Sequence, residues 1–331
     1  MKKQQQKNPW PFRSGTVKPA TQKRIDSVAG KPLASFNTAN VYLTLSFRLK
    51  SLSAMVSFIF VVIRKFFLPQ YFQKIHLLRR PIKHVDHELD TRIPFVPQKI
   101  HVYVSFINFY IRPLAMLLKR FGARDGAKLC TEFLKYIRLE YNEAYRMYSY
   151  CLTTTYRPRW KEGDDGKLIT FIQGGDPHYM CVPSLHIAIC CLVLYFYRML
   201  FEREHFSDAE KTQWNTELRS QAIAISESVL YVKQHSVNCI PAAIYMVTKI
   251  APELISVQDG VDFINALFAT AKDITPQNKA AIIEHIHFMY ERLLLESTTE
   301  NDWLPPLQRW LNSNTPHTYN PAIYTSAMPN A

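Results

Sequence analysis

The hydrophobic pattern divides the chain into long apolar stretches separated by polar, charge-rich ones. The most apolar run extends from Pro177 to Tyr197 without a charged residue, counting histidine as neutral. That is long enough to cross a bilayer as a helix. Ser51 to Ile63 is also uncharged but shorter, with Arg48, Lys50, Arg64 and Lys65 beside it, and His101 to Leu118 carries only Arg112. Gln234 to Thr248 is uncharged and contains Pro241. Each of these three fits a tilted span, an interfacial helix or a buried core helix. The pattern predicts a first hydrophobic helix over 41–68, then helices near 99–121, 127–152, 184–201, 220–233 and 235–249. A last one starts at Thr275-Pro276 and runs to about Glu296, with Ile282, Ile286, Met289 and Leu293 on one face.

Between these stretches the chain is polar. Residues 1–40 hold eight Lys and Arg against a single Asp, which predicts a disordered basic tail. Residues 161–176 contain Gly163, Gly166, Gly174 and Gly175 and read as turns. The end of the chain is rich in Asn, Pro, Ser and Thr. The expected fold is therefore all-α: a multi-pass membrane helical bundle over 41–250, a small helical extension over 251–311, and a disordered tail over 312–331.

Charge narrows the partners. The chain has 40 Lys+Arg against 27 Asp+Glu, a net +13, which suits an acidic partner. The basic residues are spread out and no nucleic-acid motif appears, so nucleic acid is disfavoured against phosphate compounds or an anionic membrane surface. The mean hydropathy of −0.14 is low for a multi-pass protein. The six cysteines show no Cys-x2-Cys pair and lie mostly in apolar stretches, so they read as reduced, buried small residues rather than zinc ligands or a disulfide framework. No metal or cofactor is called for, and the oligomeric state stays open.

Candidate chemistry gathers in three places. In Cys181-Val182-Pro183-Ser184-Leu185-His186, proline and serine signal a helix start, with His186 in its first turn. Free N–H groups and the positive end of the helix dipole suit a bound phosphate there. The second stretch runs from Ser228 through Lys233 and His235 to Cys239, and the third is Arg157-Pro158. Together they resemble the type-2 phosphatidic acid phosphatase superfamily, nearest its inositol phosphorylceramide synthase-like branch. Pro183, Ser184 and His186 match its Pro-Ser-x-His motif. Ser228 and His235 match the spacing of Ser-x6-His-x3-Asp, and Arg157-Pro158 matches the end of Lys-x6-Arg-Pro. The resemblance covers roughly residues 90 to 250.

It implies a membrane lipid phosphatase or phosphotransferase working through a phosphohistidine. His235 would be the nucleophile and His186 the acid for the leaving oxygen. Arg157 and Ser184 would bind the substrate phosphate, and Lys233 adds positive charge two residues before His235. Three expected charged groups are absent: Tyr150 stands at the Lys of the first motif, Val229 at the usual Arg of the third, and Cys239 at the carboxylate that orients the nucleophile. A carboxylate there fixes the imidazole tautomer, which a thiol does poorly. The alternative is a catalytically weak or inactive member of the same fold that binds lipid or phosphate.

Overall fold

The computed structural model describes residues 11–318. It is mostly helical, with one small two-stranded sheet. Helix α1 (Gln22–Val28) and α2 (Ala39–Ser46) lead into α3 (Leu49–Val62). A wide turn of helix over Ile63–Phe67 joins α3 to α4 (Leu68–Lys74). Short α5 (Ile100–Val104) precedes the long α6 (Phe106–Tyr150). Then follow α7 (Gly163–Gly175), α8 (Leu185–Arg203), α9 (Asp208–Tyr231), α10 (Cys239–Ile250), α11 (Val257–Ala266), α12 (Pro276–Glu296) and α13 (Leu304–Ser313). Strand β1 (Ile82–His84) pairs in parallel with β2 (Leu152–Thr154), Ile82 opposite Leu152.

Helix α8 is the axis. Fifteen of its nineteen residues are buried, and α6, α9 and α10 pack around it. The most apolar run in the sequence is therefore covered by protein rather than turned outward. Three helical stretches, Leu49–Lys74, Pro97–Tyr150 and Leu185–Arg203, are long and apolar enough to cross a membrane. They differ in surroundings. The first lies open on the outside of the bundle, with Val56, Ile59, Phe60, Ile63 and Phe67 exposed. An exposed apolar strip of this length marks a surface for lipid or another apolar partner.

Several sequence expectations are corrected. The separate helices over 99–121 and 127–152 are α5 and two arms of α6, which bends at Gly122. That residue has φ +76°, a conformation glycine adopts without steric cost. The glycine-rich 161–176 stretch is largely helix α7, not turns. Helix α9 begins at 208, well before 220, because Ser207 and Glu210 form a reciprocal cap. Helix α10 begins at 239, so residues 232–238 form a turn.

The basic tail is not disordered over its described part, 11–40. Val28, Leu33 and Phe36 are buried, the Trp214 indole donates to the Lys31 carbonyl at 3.0 Å, and the Leu33 N–H bonds the Glu217 carboxylate at 2.9 Å. Short-range polarity hid these apolar anchors among the lysines. Residues 1–10 lie outside the described residues. At the other end α13 runs to Ser313, and the His317 N–H donates to the Asp86 carbonyl at 2.9 Å, so 312–318 is placed. The rest of the expected C-terminal tail, 319–331, lies outside the described residues. All six cysteines are unpaired and buried.

Candidate functional site

The site is assembled where three connecting segments meet the start of α8. Thr153 of β2 holds the first of these: its N–H donates to the Tyr179 carbonyl at 3.0 Å, its carbonyl accepts from Cys181 at 3.2 Å, and its hydroxyl accepts from the Val182 N–H at 2.8 Å. Gln70 of α4 accepts from the Tyr179 N–H at 2.8 Å, and the Tyr148 hydroxyl donates to the Pro183 carbonyl at 2.6 Å. Segment 178–184 is thereby fixed on both edges before α8 begins. Ser184 stands at the N-cap of α8, but its hydroxyl does not cap the helix; it pairs with His235 Nε2 at 3.2 Å.

His235 arrives from the turn after α9. Lys233, at φ +54°, sends its ammonium inward to the carbonyls of Asp90 (2.6 Å) and Ile93 (2.5 Å). The Asp90 carboxylate accepts from the backbone N–H groups of Val237 and His87, each at 2.8 Å. Burial pushes Asp90 up and Lys233 down from their ordinary values, and each charge partly restores the other. Asn238 closes the turn by donating to the Val85 carbonyl at 3.0 Å and bonding His285 at 2.8 Å.

A cavity of about 250 Å³ results. Its polar wall is Gln70, Asp176, His178, His186, Gln234 and His235; its apolar wall includes Val62, Phe66 and Phe67 from the exposed α3–α4 stretch and Tyr103 and Phe106 from α5 and α6. The ring centres of His186 and His235 are 5.7 Å apart, and those of His178 and His235 are 6.2 Å apart. His186 is held between Tyr103 and Phe106, each 4.6 Å away centre to centre. Among the described residues no hydrogen bond reaches its ring, which leaves it turned to the cavity.

The charges around His235 set its state. Burial first, then the neighbouring His186 and His178, hold its imidazole well below the ordinary histidine value, while the Asp176 carboxylate opposes them. The ring is therefore neutral near pH 7, with a lone pair to offer. The Cys181 carbonyl also favours the protonated ring, yet Nδ1 has no partner at hydrogen-bonding geometry. Burial is the largest single influence on Asp176 and works against its ionisation. The His178 side-chain and backbone hydrogen bonds, the His178 charge and the Arg157 charge together outweigh it and keep the carboxyl below the usual carboxylate range. Burial lowers His178 as well, and its ring pairs with the Thr155 hydroxyl at 2.8 Å.

Of the residues singled out in the sequence, His186 and His235 line one cavity and Ser184 touches the second of them. Arg157 stands just behind the wall, bonding Gln234 Oε1 at 3.1 Å and the Asp176 carbonyl at 3.3 Å. Lys233 is not at the cavity edge; its ammonium is spent on the backbone carbonyls beneath the turn. Cys239 is fully buried in the first turn of α10. Since 232–238 is a turn, residues 235 and 239 do not share a helix face, and helical spacing gives no reason for position 239 to meet His235. Burial, then the nearby Asp90 and Asp86 carboxylates, push the Cys239 thiol up, so a carboxylate there would meet like charge. The residues missed are Asp176, His178 and Gln234. Asp176-Pro177-His178 carried a sequence signal, an acid two residues before a histidine at the edge of the apolar run. Among the described residues no group of three or more His, Cys, Asp or Glu is placed to hold a metal ion.

Compared with known proteins, the chain matches no family model, no curated protein and no solved structure.

Two outcomes follow from these contacts. Lys233→Met removes the donor to two buried carbonyls and the cation beside buried Asp90. It should destabilise the fold by about 3–5 kcal/mol, read as a lower denaturant midpoint. Acid should destabilise it too. His178 and His235 have folded values below the unfolded one, so their contribution is complete above about pH 6.5 and is lost as pH falls below it. Each should cost about 1.4 kcal/mol per pH unit there, and His178→Gln should flatten the slope of thermal stability between pH 6.5 and 5.

Proposed function

We propose that the chain is a multi-pass membrane lipid phosphatase or phosphotransferase that acts on a lipid phosphate ester through a phosphohistidine. One observation carries this reading: two histidines, His186 and His235, face one cavity whose opposite wall is apolar and continuous with the exposed α3–α4 stretch. A phosphate would meet the polar wall while an acyl chain follows the apolar one. In the step proposed, a nitrogen of neutral His235 attacks phosphorus, the N–P bond forms, and the P–O bond to the lipid breaks. His186, protonated as the anionic phosphate enters beside it, delivers that proton to the leaving oxygen. Water or an alcohol then takes the phosphoryl group and His235 is released.

Charge on the phosphoryl oxygens is offset from just behind the wall by the Arg157 guanidinium, which has five N–H groups and uses two on Gln234 and Asp176. Gln234 adds its amide to the wall. Ser184 orients His235 rather than binding the phosphate. The Asp176 carboxylate stabilises the imidazolium that forms on His235, so a carboxylate from another part of the chain partly stands in for the one missing at Cys239.

A second reading, a lipid- or phosphate-binding protein on the same fold without turnover, is favoured by the unpartnered Nδ1 of His235. An orienting carboxylate would serve that atom, and its loss costs a triad about 10⁴-fold. Phosphate release from short-chain phosphatidic acid in detergent micelles, with a chelator present, separates the two. Turnover above a denatured control supports the enzyme. Binding of the substrate with no release supports the second reading.

A further inference from the structure

A second cavity, of about 970 Å³, lies between the α2–α3 junction and the middle of α6. Arg48 and Lys50 line it from the junction, and Arg124, Lys128, Lys135 and Arg138 line it from α6. Arg13 of the N-terminal segment adds a seventh cation, and no carboxylate residue is in the lining. Lys128 is tied to Asp125 at 2.6 Å and to the Thr16 carbonyl at 2.7 Å. The other six have no ion-pair partner among the described residues. Arg138 bonds the Ser57 hydroxyl at 2.6 Å, and Lys135 reaches that of Ser14 at 3.5 Å. Ser51, Ser53 and Thr131 complete a lining of cations and hydroxyls.

Like charges gathered in a concave site raise the local potential and draw in anions. Guanidinium and ammonium groups interleaved with hydroxyls suit phosphate oxygens in particular. The volume falls within the range of small-molecule sites, about 300–1,000 Å³. The rim decides the kind of anion. Phe47 is 81% exposed and Leu49 86%, and both line this cavity at the start of the outward-facing α3–α4 stretch. A soluble polyanion has no use for an apolar rim. A phosphorylated lipid does, because its headgroup and its chains must be met side by side.

We infer that this cavity seats the headgroup of a multiply phosphorylated anionic lipid, with Phe47 and Leu49 set against the acyl region. The site is separate from the histidine cavity and does not depend on the reaction proposed there.

The test is calorimetric titration of the full chain in neutral detergent. The probes are micelles doped with phosphatidylinositol 4,5-bisphosphate, micelles doped with phosphatidylserine at matched total charge, and soluble inositol hexakisphosphate. The bisphosphate lipid should bind at least about tenfold tighter than phosphatidylserine, since the phosphates converge in one place. Lys135→Gln and Arg138→Gln should each weaken it about fivefold. Lys50→Gln and Arg124→Gln, exposed and without internal partners, should do the same with no effect on folding. Phe47→Ser with Leu49→Ser should weaken the lipid and leave the soluble polyphosphate unchanged. Equal binding of phosphatidylserine would reduce the cavity to a general basic surface and overturn the proposal. So would a soluble polyphosphate that binds as tightly as the lipid, or displacement of the lipid by single-stranded RNA at stoichiometric amounts.

Discussion

His235→Ala should lower phosphate release from short-chain phosphatidic acid by at least about 10⁴-fold, to the level of a denatured control. Among the described residues no other nucleophile has the same placement. Ser184 is fully buried and its hydroxyl is used on His235, while His178 is occupied by Thr155 and Asp176. Because His235 is neutral in the folded protein, activity should not require deprotonation near pH 7, and the acid limb of the profile should lie below the ordinary histidine range. The structural effect of the substitution is modest by comparison, since one side-chain hydrogen bond, to Ser184, is lost along with the ring contacts to His186 and His178. A variant that stays folded and retains wild-type turnover would remove His235 from the chemistry.

The second large effect is expected at His186. His186→Asn keeps a polar side chain between Tyr103 and Phe106 but cannot donate a proton at the right strength. Turnover of an alkyl phosphate should fall about 10²–10⁴-fold. A substrate with a good leaving group, such as p-nitrophenyl phosphate, needs little protonation and should recover most of that loss. Equal losses on both substrates would instead mean that His186 shapes the cavity without serving as the acid. The comparison isolates the proton from the packing, which matters because the ring is clamped by two aromatics.

The motif residues were legible because their local signals are strong. Pro183-Ser184 announces the start of α8, and His186 follows within its first turn wherever that helix goes. The apolar run behind it had to be a helix, and it became the buried axis. His235 was legible by spacing from Ser228, but its setting was not. The sequence suggested a helix from 235, whereas the inward pull of Lys233 on the Asp90 and Ile93 carbonyls makes 232–238 a turn. Those two long-range contacts also keep Lys233 out of the cavity lining, and the turn removes the helical argument for Cys239.

By itself the sequence determined the helical class, the apolar stretches long enough for a bilayer, the reduced state expected of scattered apolar cysteines, and the two histidines of the cavity. Each of these rests on composition or on neighbours a few residues apart, where period and capping act. Tertiary structure decided the rest. It chose which apolar stretch is core and which faces outward, because burial depends on what α6, α9 and α10 cover. It brought Asp176 and His178 to His235 through the Thr153 ladder, across more than fifty residues of chain. It folded residues 11–40 onto α6 and α9, and it gathered cations from three separate segments around one cavity. Charges far apart in sequence look like a dispersed excess of lysine and arginine until the fold sets them side by side.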